Sequence, residues 1–510
     1  MLPTRLSAVD EAASMNVLCV DKTGTLTSSE LTVAAVAPMA ERTESEVMMW
    51  ARLASSDGGL DPVDAAVRTA AVRFPFETMP RRDQFVPFDP EAKMAEASVT
   101  DEQGRKHRVV KGAFAYVMAA ANRSEEAAAK ATELEANGYR VLAVAVGPPL
   151  SALNVVGLLA MSDPPRPEAA GCIARLKSMG VRTVMVTGDA PATAAAVAHA
   201  IGLDGPVATA DQITEAVRPD DFAVFAGVLP EDKYTLVKAF QRTGYTVGMC
   251  GDGANDAPAL RQAHLGIAVS TATDVAKSAA GLVLTEPGLA SMLGAVTEGR
   301  VAFQRILTYT LRSIVHKIRQ VTYLGVGLLI TGHAILTPML VVISMITGDF
   351  LAMSSTTDNV RPSEKPNTWE VGSLTVAGVI LGLIDLAFCV GVLFVGKNYL
   401  RLELEPLRTL TMVNLVCSGQ AIYYVVRERR RIWSSRPSTI VLACSVADLL
   451  IVPTMAYAGI LMAPLQLRTI LSIFGSAVAF AFFLDEVKAR VFRVLQREGQ
   501  RKKSDRHLKE

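Results

Sequence analysis

The sequence predicts an α/β domain split by a smaller α+β insertion, followed by an all-α membrane domain of about six helices. Three observations predict it. Short apolar runs alternate with amphipathic stretches up to about residue 300, and apolar runs of span length dominate after about residue 320. Acidic residues stand at the ends of three of the early runs.

The early runs are NVLCV from residue 16, VVGLLAM from 155, VRTVMVTGD from 181 and FAVFAGV from 222. YTVGMCGDG, LGIAV and GLVLT follow, from 245, 265 and 281. Continuous apolar strands separated by amphipathic helices read as a parallel sheet covered on both faces. The first strand is separated from the rest by residues 35–150. These carry their own strands (RRDQFVPFDP, RKHRVVKGA, YRVLAVAV) and helices (ESEVMMWARLAS, SEEAAAKATELEANG). The reading is therefore one α/β domain in two parts, 1–34 and 151–305, with a second domain inserted between them.

The third region has six candidate spans of about 20 residues each, the length a bilayer requires. They run over 311–331, 338–356, 371–395, 409–426, 438–460 and 467–485, within a membrane domain of 306–487. The first is the least apolar, because Arg312, His316, Lys317 and Arg319 crowd its first half. Arg319 falls close to or inside the membrane, where an ionisable group is costly and usually functional. The loops NVRPSEKPNT and RERRRIWSSRP and a basic tail, 488–510, carry most of the positive charge of this region. The positive-inside rule then puts those loops, the tail and the soluble domains on the cytoplasmic side.

Composition narrows the function classes. Lys and Arg total 51 against 50 Asp and Glu, so no global field points to nucleic acid. The six cysteines form no CxxC pair, which argues against a zinc site or a disulfide framework.

The chemistry lies at the strand ends. Asp21 follows NVLCV, Thr187-Gly188-Asp189 follow VRTVMV, and Asp252 and Asp256 follow YTVGMC. In an open α/β sheet, ligands bind beyond the carboxyl ends of the strands. Carboxylates gathered there repel unless a cation sits among them, and hard oxygen ligands suit Mg²⁺, which also keeps phosphates as ligands. A phosphoryl site is the economical inference. Asp21 would then be a nucleophile forming an acyl phosphate. Lys233 would supply charge to the transferring group. Thr23 and Gly24 would present backbone groups and a hydroxyl to the same oxygens.

DKTGTLT at 21–27, KGA at 111–113, DPPR at 163–166, TGD at 187–189 and GDGANDAPAL at 251–260 together resemble the P-type ATPases. These are ion pumps that pass through an aspartyl phosphate, and the resemblance runs from about residue 5 to about 485. It implies that the split α/β domain is a haloacid-dehalogenase-like phosphorylation domain with Asp21 phosphorylated. Asp21, Asp252 and the Thr23 carbonyl would hold Mg²⁺, with Asp256 beside them. Thr187, Gly188, Asp189, Lys233 and Asn255 would surround the phosphate. The insertion resembles the family's ATP-binding domain. There Phe88 occupies the adenine-stacking position, Lys93 and Lys111 the positive positions with Gly112 beside Lys111 in the nucleotide-binding KGA motif, and Asp64 a place near the adenine edge. Arg140 resembles the residue that reaches the phosphates.

The transported ion is read from Asp349. A carboxylate inside a span is a functional candidate by default. Its spacing to DNVRPSEKP resembles the plasma-membrane proton-pump branch, in which this aspartate carries H⁺ and an arginine of the preceding span lies near it. Arg319 is at the matching position. A lone carboxylate cannot build the six- to eight-oxygen cage of Ca²⁺, whereas a proton needs only one.

No TGE tripeptide occurs, and twenty residues precede Asp21. The resemblance therefore implies that the actuator domain and first four spans of such a pump lie on a separate chain or outside this stretch. Two further readings follow from the same residues. One is a non-transporting remnant that binds nucleotide; the other is a membrane-anchored haloacid-dehalogenase-like phosphatase. The second of these usually has an aspartate two residues after the nucleophile, where this chain has Thr23.

Overall fold

The computed structural model describes residues 1–507 except 40, 60, 77, 150 and 370, with side chains described to 495. The chain divides into two units. One is Met1–Val296 with Glu364–Pro366; the other is Thr297–Ser363 with Asn367–Glu510.

Among the described residues, fourteen strands build the first unit. In chain order they are β1 (Leu2–Pro3), β2 (Val17–Asp21), β3 (Thr32–Pro38), β4 (Arg81–Asp89), β5 (Met94–Thr100), β6 (Lys106–Ala113) and β7 (Arg140–Gly147). Then come β8 (Asn154–Ser162), β9 (Arg182–Val186), β10 (Val207–Thr209), β11 (Val224–Ala226), β12 (Val247–Gly251), β13 (Leu265–Ala268) and β14 (Leu282–Val283). An eight-stranded sheet has the order β1-β14-β13-β12-β2-β9-β11-β10 and is parallel except at β1. A six-stranded antiparallel sheet has the order β3-β8-β7-β6-β5-β4.

The parallel sheet follows from its sequence. Val17–Asp21 and Val247–Gly251 are buried throughout, because helices cover both faces and leave no solvent side to demand polar alternation. β2 lies in the middle, with β12 on one side and β9 on the other. Asp21 pairs in register with Val186, and Val20 with Cys250. The chain leaves β2 in one direction and returns on both sides of it, which makes this the topological switch point of the sheet.

The insertion is larger than its sequence suggests. VVGLLAM, expected in the parallel sheet, is β8, paired with β3 and β7 in the antiparallel one. The inserted domain thus spans about 32–162 instead of 35–150. β8 misleads because it is buried on both faces and so shows the continuous apolar run of a parallel strand. One face packs beneath helices Glu44–Leu53 and Pro62–Ala71, and the other beneath Phe114–Ala120 and Glu125–Ala136. Glu44–Leu53 starts at a complete capping box, in which Thr43 and Glu46 satisfy each other's free amides.

The second unit is all helix. Five helices among the described residues are long and apolar enough to cross a membrane, within 338–357, 371–399, 404–426, 439–458 and 467–495. The expected first span is the second half of a 42-residue helix, Ala290–Thr331, and its charges keep it out of that set. Leu404–Val426 is buried along nearly its whole length, so it is the central helix, ringed by the others. The expected separate tail from Lys488 is a continuation of the last helix, Leu467–His507, since neither proline nor a turn interrupts it. Lys488 itself is fully buried, bonded to Asp485 and to the carbonyls of Val425 and Glu428.

Candidate active site

Three adjacent strands, β12, β2 and β9, deliver the acidic motifs to one edge of the parallel sheet. Asp21 is the last residue of β2, Asp252 follows β12, and Thr187 follows β9. Oxygens of Asp21, Asp252 and Asp256 lie within 4.8 Å of one another. Lys233, in the first turn of helix Pro230–Arg242, places Nζ 2.7 Å from Asp21 Oδ2 and 2.7 Å from Asp256 Oδ1. Asp256 Oδ2 accepts from the backbone amides of Asp252 and Gly253, both at 3.2 Å. Both oxygens of Asp256 are thus engaged, so it braces Lys233 and the loop, while Asp21 and Asp252 offer the freer oxygens.

Burial raises the Asp21 carboxyl to about 7; Lys233 opposes this, and Asp256 and Asp252 add to it. Burial also raises Asp252, with Asp256 contributing. Lys233 is held above its ordinary value: burial works against its charge, but Asp21 and Asp256 outweigh it. Three carboxylates around one ammonium are two positive charges short when all are ionised. That deficit, with an all-oxygen donor set, fits Mg²⁺.

The turn after Asp21 is held by its glycine and by a neighbour of the nucleophile. Gly24 has φ +70°, and a Cβ there would stand 2.1 Å from Asp252 Oδ2. Lys22, which the motif reading passed over, is buried and pairs with Asp189 at 2.7 Å and Asp163 at 3.8 Å. It ties the β2 turn to both the TGD and the DPPR segments. The signal was its place beside Asp21, with nothing in periodicity to mark it. Thr187 is buried, and its Oγ1 accepts from the Asp189 amide at 3.1 Å. Thr23, Gly188 and Asn255 are exposed, Asn255 on the short helical turn Ala254–Asp256.

A cleft of about 270 Å³ opens on the antiparallel sheet. Asp64, Phe88, Lys93, Lys111, Gly112 and Arg140 all line it. Phe88 is 43% exposed, so its ring is not spent on the core. Lys111 is buried on the cleft floor, paired with Asp64 and bonded to Ser55. Burial lowers Lys111, with Asp64 opposing. For Asp64 burial acts upward, but Lys111 and the Ser56 amide, at 2.9 Å, outweigh it and hold the carboxyl below its ordinary value. Gly112 is needed for close approach, since a Cβ would lie 2.4 Å from the Lys93 carbonyl. Asp61, also on the cleft, caps helix Pro62–Ala71 by accepting from the Asp64 amide. The Asp-Pro helix start was the sequence signal for it.

In the helical unit, Asp349 is exposed on helix Pro338–Ser354. Arg319 is 2% exposed and its carboxylate partner is Asp385, at 3.3 Å, in place of the expected Asp349. Arg319 also donates to Ser418 Oγ at 2.7 Å and meets His316 Nδ1 at 2.9 Å. Ser418 lies on the central helix, Asp385 on the Val371–Phe394 helix and His316 one turn away on Arg319's own helix, so the guanidinium finds its bonds within protein. A second carboxylate, Asp448, accepts from Gln420 at 3.0 Å.

Comparison with known proteins bears on this geometry. Residues 15–264 match the haloacid dehalogenase-like hydrolase family. Over 504 residues, 95% of this chain, the sequence is 31% identical to "Putative cation-transporting ATPase MJ1226" of Methanocaldococcus jannaschii. The chain spans 62% of that relative's length. The α/β part is thus a haloacid dehalogenase-like hydrolase domain, followed by an apolar helical region.

Two substitutions test the site. Gly24→Ala should cost about 1–2 kcal/mol in backbone strain and push the Asp252 carboxylate aside. Mg²⁺ binding by isothermal titration calorimetry should weaken at least ~10-fold while the chain still folds. Asp64→Asn leaves Lys111 buried beside a neutral group, a loss on the order of 3 kcal/mol at pH 7. Because the folded-state pKa of Asp64 is depressed, its contribution is complete above about pH 4 and is lost as pH falls through the folded value. Hydrogen exchange in β6 should show the parent–variant difference shrinking below about pH 4.

Proposed function

We propose that this chain is the phosphorylated, nucleotide-binding and membrane-embedded part of a cation-transporting P-type ATPase. The observation that carries the proposal is Lys233 held 2.7 Å from both Asp21 and Asp256, with Asp252 alongside. A buried lysine held between two carboxylates is preorganised to stabilise the charge of a phosphoryl group transferred to Asp21.

In this reading the cleft at Phe88 takes the adenine of ATP, and Lys93, Lys111 and Arg140 supply the positive charge. An oxygen of Asp21 attacks the γ-phosphorus, the bond to the β–γ bridging oxygen breaks, and ADP leaves with that electron pair. Lys233 and the Thr187, Gly188, Asp189 and Asn255 segments meet the oxygens of the transferring group. Mg²⁺, with Asp21, Asp252 and the Thr23 carbonyl as its ligands, would supply charge neutralisation there. Thr23 offers no carboxyl to activate water, which favours a phosphoenzyme that lasts over direct phosphatase action.

The cation proposed is H⁺, with Asp349 as its carrier in the plasma membrane and the soluble domains cytoplasmic. What supports this is the scarcity of acidic groups on helix Pro338–Ser354, where Asp349 is the one carboxylate. One carboxylate suffices for a proton and falls short of a metal cage.

The purified chain incubated with [γ-³²P]ATP and Mg²⁺ should acquire an acid-stable, hydroxylamine-labile label. Asp21→Asn should abolish that label; its persistence would overturn the nucleophile assignment. In a transport-competent preparation, Asp349→Asn should leave the label intact and stop proton movement into vesicles, read with a pH-sensitive dye.

A further inference from the structure

A cavity of about 30 Å³ lies among four helices of the helical unit, with room for about two water molecules. Arg312, His316 and Arg319 line it from helix Ala290–Thr331, and Thr347 from helix Pro338–Ser354. Gln420 lines it from the central helix and Asp448 from helix Thr439–Ala458. Asp448 is the only carboxylate among the described lining residues, and Asp349 is not one of them. The basic groups are engaged elsewhere. Arg319 pairs with Asp385 at 3.3 Å and meets His316 Nδ1 at 2.9 Å, and Arg312 donates to the Gly348 carbonyl at 2.9 Å. Asp448, 7% exposed, accepts from Gln420 Nε2 at 3.0 Å and has no ion pair among the described residues. Gln420 is 5% exposed, and its Oε1 meets no donor. A carboxyl without a contacting cation thus stands beside an amide oxygen without a donor.

We propose that Asp448 is a proton-binding site of the membrane unit, protonated at neutral pH and exchanging its proton with water in the cavity. Ionised, Asp448 only accepts, so it leaves a buried charge uncompensated and Gln420 Oε1 without a donor. One proton removes the charge and supplies the donor. An acid and an amide then bond in both directions, N–H to one carbonyl oxygen and O–H to the other. In the exchange a hydronium gives up its proton as the carboxyl O–H bond forms, and water takes it back as that bond breaks. The cavity selects for H⁺, because a metal ion would meet two guanidinium groups and a single carboxylate in place of six or more oxygens. Arg312, His316 and Arg319 are the ionisable groups facing Asp448; Thr347 and Gln420 are uncharged, and the last helix has no charged residue between Arg468 and Asp485. Arg312 interacts electrostatically with Asp448 and with Asp349, so one guanidinium faces both carboxyl groups. The inference rests on the reading of H⁺ as the cation and adds a second carboxyl to its path.

Infrared spectroscopy of the full chain in lipid nanodiscs, without ATP, tests this separately from phosphorylation. An Asp21→Asn background removes the proposed nucleophile from the spectrum. At pH 7 that protein should show the C=O stretch of a protonated carboxyl, shifted in D₂O, and adding Asp448→Asn should remove the band. A band of unchanged intensity would mean an ionised Asp448 and would overturn the proposal, whatever happens at Asp21. Gln420→Met, close to isosteric, should keep the band and move it to higher frequency as the amide partner is lost. No movement would refute the acid–amide pairing. In a transport-competent preparation, Asp448→Asn should lose most of the proton movement and Asp448→Glu should recover part of it. Full movement in Asp448→Asn would remove the residue from the path.

Discussion

Everything at the active edge of the parallel sheet depends on Lys233. Asp21 sits at a strand end because β2 runs to its last residue as an ordinary buried strand. What makes an acidic cluster tolerable there is one ammonium shared between Asp21 and Asp256 at equal distances. Without it three carboxylates would face one another within 4.8 Å in a half-dry crevice. With it the cluster is still short of positive charge, so the site is stable enough to fold and unsatisfied enough to bind. That residual deficit connects the fold to the proposed phosphoryl chemistry.

The inserted domain solves a similar problem differently. Lys111 and Asp64 neutralise each other on the cleft floor, so the buried charge there is spent on structure. Phe88, Lys93 and Arg140 stand around the same cleft with their side chains free to meet a ligand. The paired floor leaves the rim residues to orient a ligand by a few placed polar groups, as the proposed nucleotide site requires.

The helical unit reverses the usual pattern of a soluble core, with large apolar side chains outward and its charged pairs inside. Leu404–Val426 organises this interior, with Ser418 meeting Arg319 and Gln420 meeting Asp448. Just past its end Arg427 grips Asp358 through two nitrogens, at 2.8 and 3.1 Å, and Asp358 also accepts the Ser438 amide. Charges that would be ruinous in lipid are thereby paired within protein. Length and hydropathy alone disclosed the spans, but nothing in those measures could assign Arg319 to Asp385, 66 residues away along the chain.

The sequence by itself determined the motifs, the alternation of strands and helices, and the apolar spans. Each of these is written in local order and period, such as DKTGTLT closing NVLCV or the uninterrupted run from Val371. Tertiary structure decided which strands are neighbours and which charges pair. VVGLLAM reads like a strand of the parallel sheet, because burial on both faces erases the alternation that would distinguish it; only its pairing with β3 and β7 assigns it to the insertion. The two oxygens of Asp256, the ties of Lys22 and the partner of Arg319 were decided there too. A side chain's partner depends on distance in space, and a linear sequence carries no measure of that distance for residues brought together from opposite ends of a domain.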